Sequence, residues 1–159
     1  MNPHAYIFTD GSCTGTGLGA WATVIILPKE SVSQVLFGVA NYTTINRCEL
    51  QPAIDGLRWL RLHFGKPTGI RVLIISDSET TVRTMSGEFD SGTNLDLWQA
   101  YEVARRGFLV TPSWRERNTH PYMQFVDALC GAVRKLLLEP AARIEEDTPP
   151  ANFSLEGIT

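Results

Sequence analysis

The sequence lacks any long hydrophobic run. No apolar stretch among its 159 residues approaches the roughly 20 residues that a membrane-spanning helix needs. The first residues, Met1-Asn2-Pro3-His4, also lack the basic and then apolar pattern of a signal peptide. We therefore expect a cytoplasmic protein with no membrane attachment.

Cysteine and histidine are scarce. The three cysteines, Cys13, Cys48 and Cys130, are far apart in the sequence, and no pair has the CxxC spacing of a zinc site. An odd number of separated cysteines favours reduced thiols over a disulfide framework. The sequence therefore offers oxygen ligands rather than sulfur or nitrogen ligands for any metal ion.

A strong net charge is also missing, because 14 basic residues face 17 acidic ones. Residues 139–159 carry a net charge of -4, which leaves a net of +1 on residues 1–138. This balance permits an anionic partner without demanding one. Without internal repeats or a second core pattern, the sequence predicts one domain, residues 1–138, and an acidic, proline-containing tail, residues 139–159, that is disordered or extended.

Two apolar runs each end in an aspartate, and small residues typical of a turn follow at once. Tyr6 to Thr9 leads into Asp10, and Ile70 to Ser76 leads into Asp77. Such runs are typical of buried strands, and the second is apolar enough for a central strand covered on both faces. We expect both carboxylates to lie at the same edge of one sheet.

The hydrophobic periodicity predicts three strands, a helix, a strand, two helices, a strand and a final helix. Thr43 or Thr44 is the expected cap of the first long helix. Pro52 indicates that this helix either begins near Glu49 or bends at the proline. Pro112 favours an edge position for the last strand. The predicted ranges are 6–10, 20–26 and 32–39 for the first strands, a helix through Phe64, then 70–77, 79–85, 94–106, 108–114 and a helix from Tyr122.

Two further acids, Glu49 and Asp127, lie in the first turns of the first and last long helices. Alone, Glu49 would be an ordinary solvated residue favoured by the helix dipole. If these two acids met Asp10 and Asp77 in one cleft, the four carboxylates would repel one another unless cations neutralised them. Hard oxygen ligands favour Mg²⁺ or Mn²⁺ over zinc.

Five motifs in one order resemble the type 1 ribonuclease H family. They are TDGS at Thr9 to Ser12, NRCEL at Asn46 to Leu50, SDS at Ser76 to Ser78, NLDLWQ at Asn94 to Gln99, and a last helix with Asp127. The resemblance covers about residues 5 to 137. It implies an α/β, ribonuclease H-like fold, whose five-stranded mixed sheet begins with three antiparallel strands and has helices on both faces.

The resemblance also implies an activity. It predicts an endoribonuclease that hydrolyses the RNA strand of RNA/DNA hybrids with two Mg²⁺ ions, or Mn²⁺ as a substitute, and leaves 5′-phosphate products. The catalytic and metal-binding residues would be Asp10, Glu49, Asp77 and Asp127. Substrate contacts are expected at Gly11, Ser12, Cys13, Thr44, Asn46 and Ser78.

Several positions depart from the family pattern. Arg117 stands where a loop histidine often helps proton transfer or product release, and His120 follows three residues later, so both are candidates for that role. Ile45 replaces an amide, and Glu79 stands where a glutamine often follows the aspartate and serine, so hybrid recognition is expected to differ. The short segment between Asp77 and Asp96 lacks the basic protrusion of many bacterial members, which predicts weaker hybrid binding or help from a partner.

Two other functions stay open at this point. One is a related nuclease of the same fold that acts on DNA or other structured nucleic acid. The other is a non-catalytic nucleic-acid-binding module, although such a module gains nothing from carboxylates placed beside phosphate. We expect a monomer, and the acidic tail is a candidate site for a protein partner.

Overall fold

The computed structural model describes residues 2–138 and 153–158. Nine elements follow the predicted order. They are β1 Ala5–Cys13, β2 Gly19–Leu27, β3 Val32–Ala40, α1 Ile45–Phe64, β4 Arg71–Ser76, α2 Glu79–Met85, α3 Leu95–Arg105, β5 Leu109–Trp114 and α4 Pro121–Leu138.

The five strands form one mixed sheet in the order β3-β2-β1-β4-β5. β1, β2 and β3 pair as antiparallel neighbours, whereas β4 lies parallel to both β1 and β5. The expected five-stranded mixed sheet with helices on both faces is confirmed. Pro112 lies in β5, an edge strand, where a missing backbone donor is tolerated.

Apolar residues of the central strands alternate between two cores. In β1, Ala5 and Ile7 face a core built with α1 and α3, while Tyr6 and Phe8 face a core built with α4. β2 and β4 divide their side chains between the same two cores. Burial on both faces explains why these strands are almost continuously hydrophobic.

Helix α1 begins at Ile45, and Thr44 caps it by accepting a hydrogen bond from the Arg47 amide. The alternative in which the helix begins near Glu49 is therefore wrong. Pro52 lies inside the helix and cannot donate to the carbonyl of Cys48, four residues earlier. Packing of the buried face of α1 on the sheet outweighs this missing bond.

Residues 153–158, within the predicted tail, lie against the core on the α4 side. Ile158 is buried, and the Phe153 ring contacts Tyr122 edge to face at 5.3 Å between centroids. The rest of the predicted tail, residues 139–152 and 159, lies outside the described residues. Within the described ranges, no helix is both long and apolar enough to cross a membrane.

Candidate metal centre

The parallel pairing of β1 with β4 brings two acids together. Their register runs from Ala5 opposite Val72 to Thr9 opposite Ser76, so Asp10 and Asp77 are the next residue on each strand. β1 does not end at Asp10 but continues to Cys13, paired with β2 alone. The strand therefore outlasts its pairing with β4, and the predicted turn after Asp10 is wrong. Both carboxylates still lie at the carboxyl edge of these parallel strands, where open α/β sheets bind ligands.

Helix α1 supplies the third acid by passing very close to β1 at Gly11. A Cβ atom placed on Gly11 would lie 2.4 Å from the carbonyl carbon of Cys48 and 2.7 Å from the amide nitrogen of Glu49. Only glycine permits this approach. Glu49 is consequently buried over the sheet edge, with 6% of its surface exposed, rather than solvated.

Carboxylate oxygens of Asp10, Glu49 and Asp77 lie within 4.8 Å of one another. The fourth predicted acid, Asp127 on α4, is outside this triad, but it lines the same cleft as Asp10 and is close enough to help raise the pKa of Asp10. All four predicted acids therefore meet at one place, three as a compact cluster and one beside Asp10.

Burial is the main cause of unusual acidity in this cluster. It raises the pKa of Asp10 to about 8, and the neighbouring Asp77 and Asp127 carboxylates add to the rise. Burial likewise raises the pKa of Glu49 to about 9, followed by the effects of Asp10 and Asp77. Without a positive ion, these acids hold protons that ordinary carboxyl groups release.

The donor set fits a divalent cation. Glu49 Oε2 is buried and has no hydrogen-bond partner within the part of the chain that the structure describes. An orphaned buried carboxylate oxygen is costly unless a ligand satisfies it. Oxygen-only ligands suit Mg²⁺ or Mn²⁺.

Basic residues surround the cleft beside this cluster. The cleft has a volume of about 530 Å³, and its lining includes Asp10, Asp127, Arg117, Arg134 and Lys135. Arg134 donates from Nη1 to Ser12 Oγ at 2.7 Å. Arg134 and Lys135 were not among the residues predicted from the sequence. A usable signal was their position two helical turns after Asp127, on the same side of α4.

Arg117 reaches the acidic cluster from the loop between β5 and α4. Its Nε donates to Asp77 Oδ2 at 2.9 Å, although 60% of the arginine side chain is exposed. A guanidinium cannot shuttle protons at neutral pH, so this contact is electrostatic in character.

His120, the other candidate for proton transfer, packs in the core. Its ring stacks on Phe8 at 5.4 Å and on Tyr122 at 5.6 Å between centroids. Nδ1 accepts from the Tyr122 amide at 3.1 Å, so the ring proton is on Nε2, which donates to the Ser154 carbonyl at 2.7 Å. Because both nitrogens are engaged, we assign His120 a packing role instead of proton transfer.

The predicted substrate-contact residues fall into two groups. Gly11, Ser12 and Cys13 continue β1 past the acids, and the Cys13 thiol contacts the Thr43 carbonyl at 3.5 Å. The others lie at helix N-termini: Thr44 caps α1, Ser78 caps α2 and bonds Thr81 Oγ1 at 2.8 Å, and exposed Asn46 lines a small pocket with Asn94.

Two residues that depart from the family pattern lie at the N-termini of helices α1 and α2. Ile45 is the first residue of α1 and is 46% exposed. Glu79 is exposed and pairs with Arg83 at 2.6 Å, one turn along α2.

A sequence model of the RNase H family matches residues 2–106, about two thirds of the chain. The chain belongs to the ribonuclease H family. The matched range includes Asp10, Glu49 and Asp77, whereas Asp127 lies beyond it. The matched range therefore contains all three members of the triad, and Asp127 is placed beside them by the structure alone.

Curated relatives agree with this family. A ribonuclease H of Cupriavidus metallidurans is 32% identical over 139 residues, covering 77% of this chain and 90% of the relative. A ribonuclease H of Acidithiobacillus ferrooxidans is 33% identical over 144 residues, covering 80% of this chain and 85% of that one. The ribonuclease HI of Campylobacter jejuni is 29% identical over 130 residues, with 79% and 88% covered.

Solved ribonuclease H structures share the fold. LC11-RNase H1 in complex with an RNA/DNA hybrid superposes with a TM-score of 0.73 at 20% identity, covering 85% of this chain and 99% of that one. The N-terminal RNase H domain of a Mycobacterium tuberculosis protein gives a TM-score of 0.73 at 20% identity, with 87% and 98% covered. This chain therefore has the ribonuclease H fold.

Proposed function

We propose that this protein is an endoribonuclease that hydrolyses the RNA strand of RNA/DNA hybrids and leaves 5′-phosphate ends. The observation that carries the proposal is the buried carboxylate triad of Asp10, Glu49 and Asp77, which includes an orphaned oxygen. This triad lies in a member of the ribonuclease H family. A binding module has no use for buried, electrostatically frustrated acids, whereas a metal-dependent hydrolase needs them.

We propose that Asp10, Glu49, Asp77 and Asp127 hold two Mg²⁺ ions, with Mn²⁺ as a substitute. Such ions, when bound, lower the pKa of a water molecule and stabilise the negative charge that develops during phosphodiester hydrolysis. Asp10 is central to the set because it belongs to the triad and also lines the cleft together with Asp127. The Gly11 amide donates to Asp10 Oδ1 at 2.9 Å and so orients that carboxylate.

The hydroxyl and thiol groups near the triad have other tasks. Ser12 Oγ accepts from Arg134, Ser78 Oγ caps α2, and Cys13 Sγ points to backbone carbonyls. None of these three has an adjacent general base among its contacts in the described residues, so they do not suit a covalent nucleophile. Their placement supports water as the attacking group.

Hybrid binding would use the basic side of the cleft. Arg117, Arg134 and Lys135 line it beside Asp10 and Asp127, in positions suited to phosphate oxygens. We propose that Thr44, Asn46 and the β1 segment Gly11 to Cys13 contact the duplex, which is selected by its shape and 2′-hydroxyls. The hybrid bound to the similarly folded LC11-RNase H1 supports this substrate class.

The proposed setting is a cytoplasmic monomer. Its three cysteines are all free, which suits a reducing compartment. Arg117, placed on Asp77, would neutralise charge at the scissile phosphate rather than transfer protons. We also propose that the acidic tail, residues 139–159, binds a protein partner.

The test is cleavage of an end-labelled RNA/DNA hybrid beside single-stranded RNA, double-stranded RNA and double-stranded DNA. Each substrate is incubated with Mg²⁺, Mn²⁺ or EDTA. Wild type is compared with Asp10→Asn and with Glu102→Gln, which removes one exposed surface acid that pairs with Arg105. We expect metal-dependent cutting of the hybrid alone, retained in Glu102→Gln and lost in Asp10→Asn.

Two other results would replace this function. Cutting of a different substrate would indicate a related nuclease of the same fold. Binding of hybrid without cutting under any metal condition would indicate a non-catalytic binding module.

A further inference from the structure

Two anchors hold the loop that carries Arg117. Before Arg117, the Arg115 amide donates to the Ser76 carbonyl at 3.0 Å, immediately before Asp77. After Arg117, His120 is stacked in the core beside Phe8. Residues 116–119, between these anchors, are exposed. Because little else packs on these four residues, the two anchors determine where Arg117 lies.

Residues 153–158, here called the C-terminal segment, contact both anchors. The Arg115 guanidinium donates from Nη2 to the carbonyls of Gly157 at 2.7 Å and Ile158 at 2.9 Å. His120 Nε2 donates to the Ser154 carbonyl at 2.7 Å. The segment therefore binds the loop two residues before Arg117 and three residues after it.

Apolar side chains fix the C-terminal segment in place. Ile158 is 4% exposed, Leu155 packs on the same core, and Phe153 meets Tyr122 edge to face. Burial of such side chains supplies the free energy that keeps the backbone carbonyls in register with Arg115 and His120. The C-terminal segment is thus packed on the core while its carbonyls accept hydrogen bonds from both loop anchors.

We propose that Phe153 and Ile158 are positioning residues, which through Arg115 and His120 hold Arg117 at Asp77 of the metal centre. The catalytic part of this inference rests on the proposed function. Loss of the segment would free the loop and lower the fraction of molecules with Arg117 in place. In this chain of contacts, the segment holds the two loop anchors, the anchors hold Arg117, and Arg117 contacts Asp77.

The first test follows loop order by amide hydrogen exchange in the full chain, and it requires no activity. We expect Phe153→Ala and Ile158→Ala to speed exchange at the Arg115 amide while the β1 and β2 amides stay protected. Phe64→Ala is the matched control, because Phe64 is a half-buried phenylalanine that packs on the other core. Unchanged exchange at Arg115 in both segment variants would overturn the inference.

The second test is a double-mutant cycle on kcat for hybrid cleavage at saturating metal. We expect Phe153→Ala and Arg117→Ala each to lower kcat by roughly tenfold, and the double variant to be no slower than Arg117→Ala. Phe153→Leu should restore most of the rate, whereas Phe64→Ala should keep the wild-type rate. Effects that multiply in the double variant would show that the segment does not act through Arg117.

The two proposals fail in different ways. A wild-type protein that cuts no hybrid would overturn the proposed function, and hydrogen exchange would still decide whether the segment orders the loop. If Phe153→Ala does not fold, Arg115→Gln removes the same carbonyl contacts from the loop side and takes its place in both tests. A wild-type rate in that folded variant would overturn the inference.

Discussion

At Asp10 and Glu49, burial works against ionisation. Their raised pKa values mean that the metal-free protein retains protons that an unfolded chain releases near pH 4. The free energy of unfolding must therefore fall as pH rises from about 4 to about 8 or 9, because the unfolded state binds fewer protons. A bound cation would offset this loss of stability, because it stabilises the ionised carboxylates.

Asp10→Asn should stabilise the metal-free protein at pH 8 while abolishing hybrid cleavage. The amide removes a buried charge that faces Asp77 and Asp127, and we expect a gain of about 1–3 kcal/mol. Thermal unfolding in EDTA at pH 5 and pH 8 measures the effect, which should be much smaller at pH 5. Glu102→Gln on α3 should change the melting temperature little at either pH. A lower melting temperature for Asp10→Asn at pH 8 would contradict this account of the cluster.

Metal affinity should increase with pH. Asp10 and Glu49 must lose protons to bind a cation, and their pKa values are about 8 and about 9. Calorimetric titration with Mn²⁺ should therefore show tighter binding and fewer released protons as pH rises from 6 to 9. Proton release is obtained by repeating the titration in buffers of different ionisation enthalpy. An affinity independent of pH would mean that these acids are already ionised in the metal-free protein.

At the scale of elements, the site depends on how closely β1 and α1 approach each other. Gly11 lies against the backbone of Cys48 and Glu49, so the strand and the helix touch through main chain rather than side chains. The sheet register sets Asp10 beside Asp77, and this backbone contact sets Glu49 above them.

Gly11→Ala should move the strand and the helix apart. The added methyl group would lie 2.4 Å from backbone, which cannot rotate away, and we expect a loss of about 1–3 kcal/mol in unfolding free energy. Chemical denaturation measures this loss, and Mn²⁺ titration should show weaker binding because Glu49 shifts. Gly131→Ala is the matched control on α4: no heavy atom lies within 4 Å of its added Cβ, so stability should hold or rise. Equal stability of the two variants would exclude the tight contact.

The elements were predictable because their signals are local. The apolar runs of the strands, the hydrophobic periodicity of the helices and the Thr44 cap lie within a few residues of the features they define. Contacts between distant residues left no such signal. Arg134 and Ser12, which share a hydrogen bond, are 122 positions apart in the sequence. The sequence around His120 is typical of a loop, but in the fold its ring stacks on Phe8 and donates to the Ser154 carbonyl.

The convergence of the four acids lies between these cases. A parallel pair of strands forces Asp10 and Asp77 to one edge, so that part followed from topology. Glu49 resembled a solvated helix residue, and its burial depends on the absence of a side chain at Gly11. The sequence could indicate the candidates for the site but not this packing contact.

Over the whole molecule, charge is unevenly placed. The net charge is -3, yet the cleft beside the acids is lined by Arg117, Arg134 and Lys135. Phosphate binding by such residues releases counterions and makes affinity strongly dependent on salt.

Hybrid affinity should fall steeply with salt. Arg134→Ala and Lys135→Ala should each reduce the slope of log K against log salt concentration by about 1, as expected for loss of one phosphate contact. Fluorescence anisotropy with a labelled hybrid in Ca²⁺ or EDTA, to prevent cutting, measures the slope. Arg58→Ala removes an exposed charge from α1, away from the cleft lining, and should leave the slope unchanged. Slopes that are equal in all four proteins would place the hybrid on another surface.

The spread of the site along the chain has a consequence for protein synthesis. Its acids lie at positions 10, 49, 77 and 127 of the sequence. The hydrogen-bond partners of the Arg115 side chain, Gly157 and Ile158, come later still. A ribosome-bound chain that has emerged only as far as β5 holds three of the acids and no α4. The proposed four-acid centre therefore cannot assemble on the nascent chain at that stage. We expect full activity only after the last helix and the segment after it have left the ribosome.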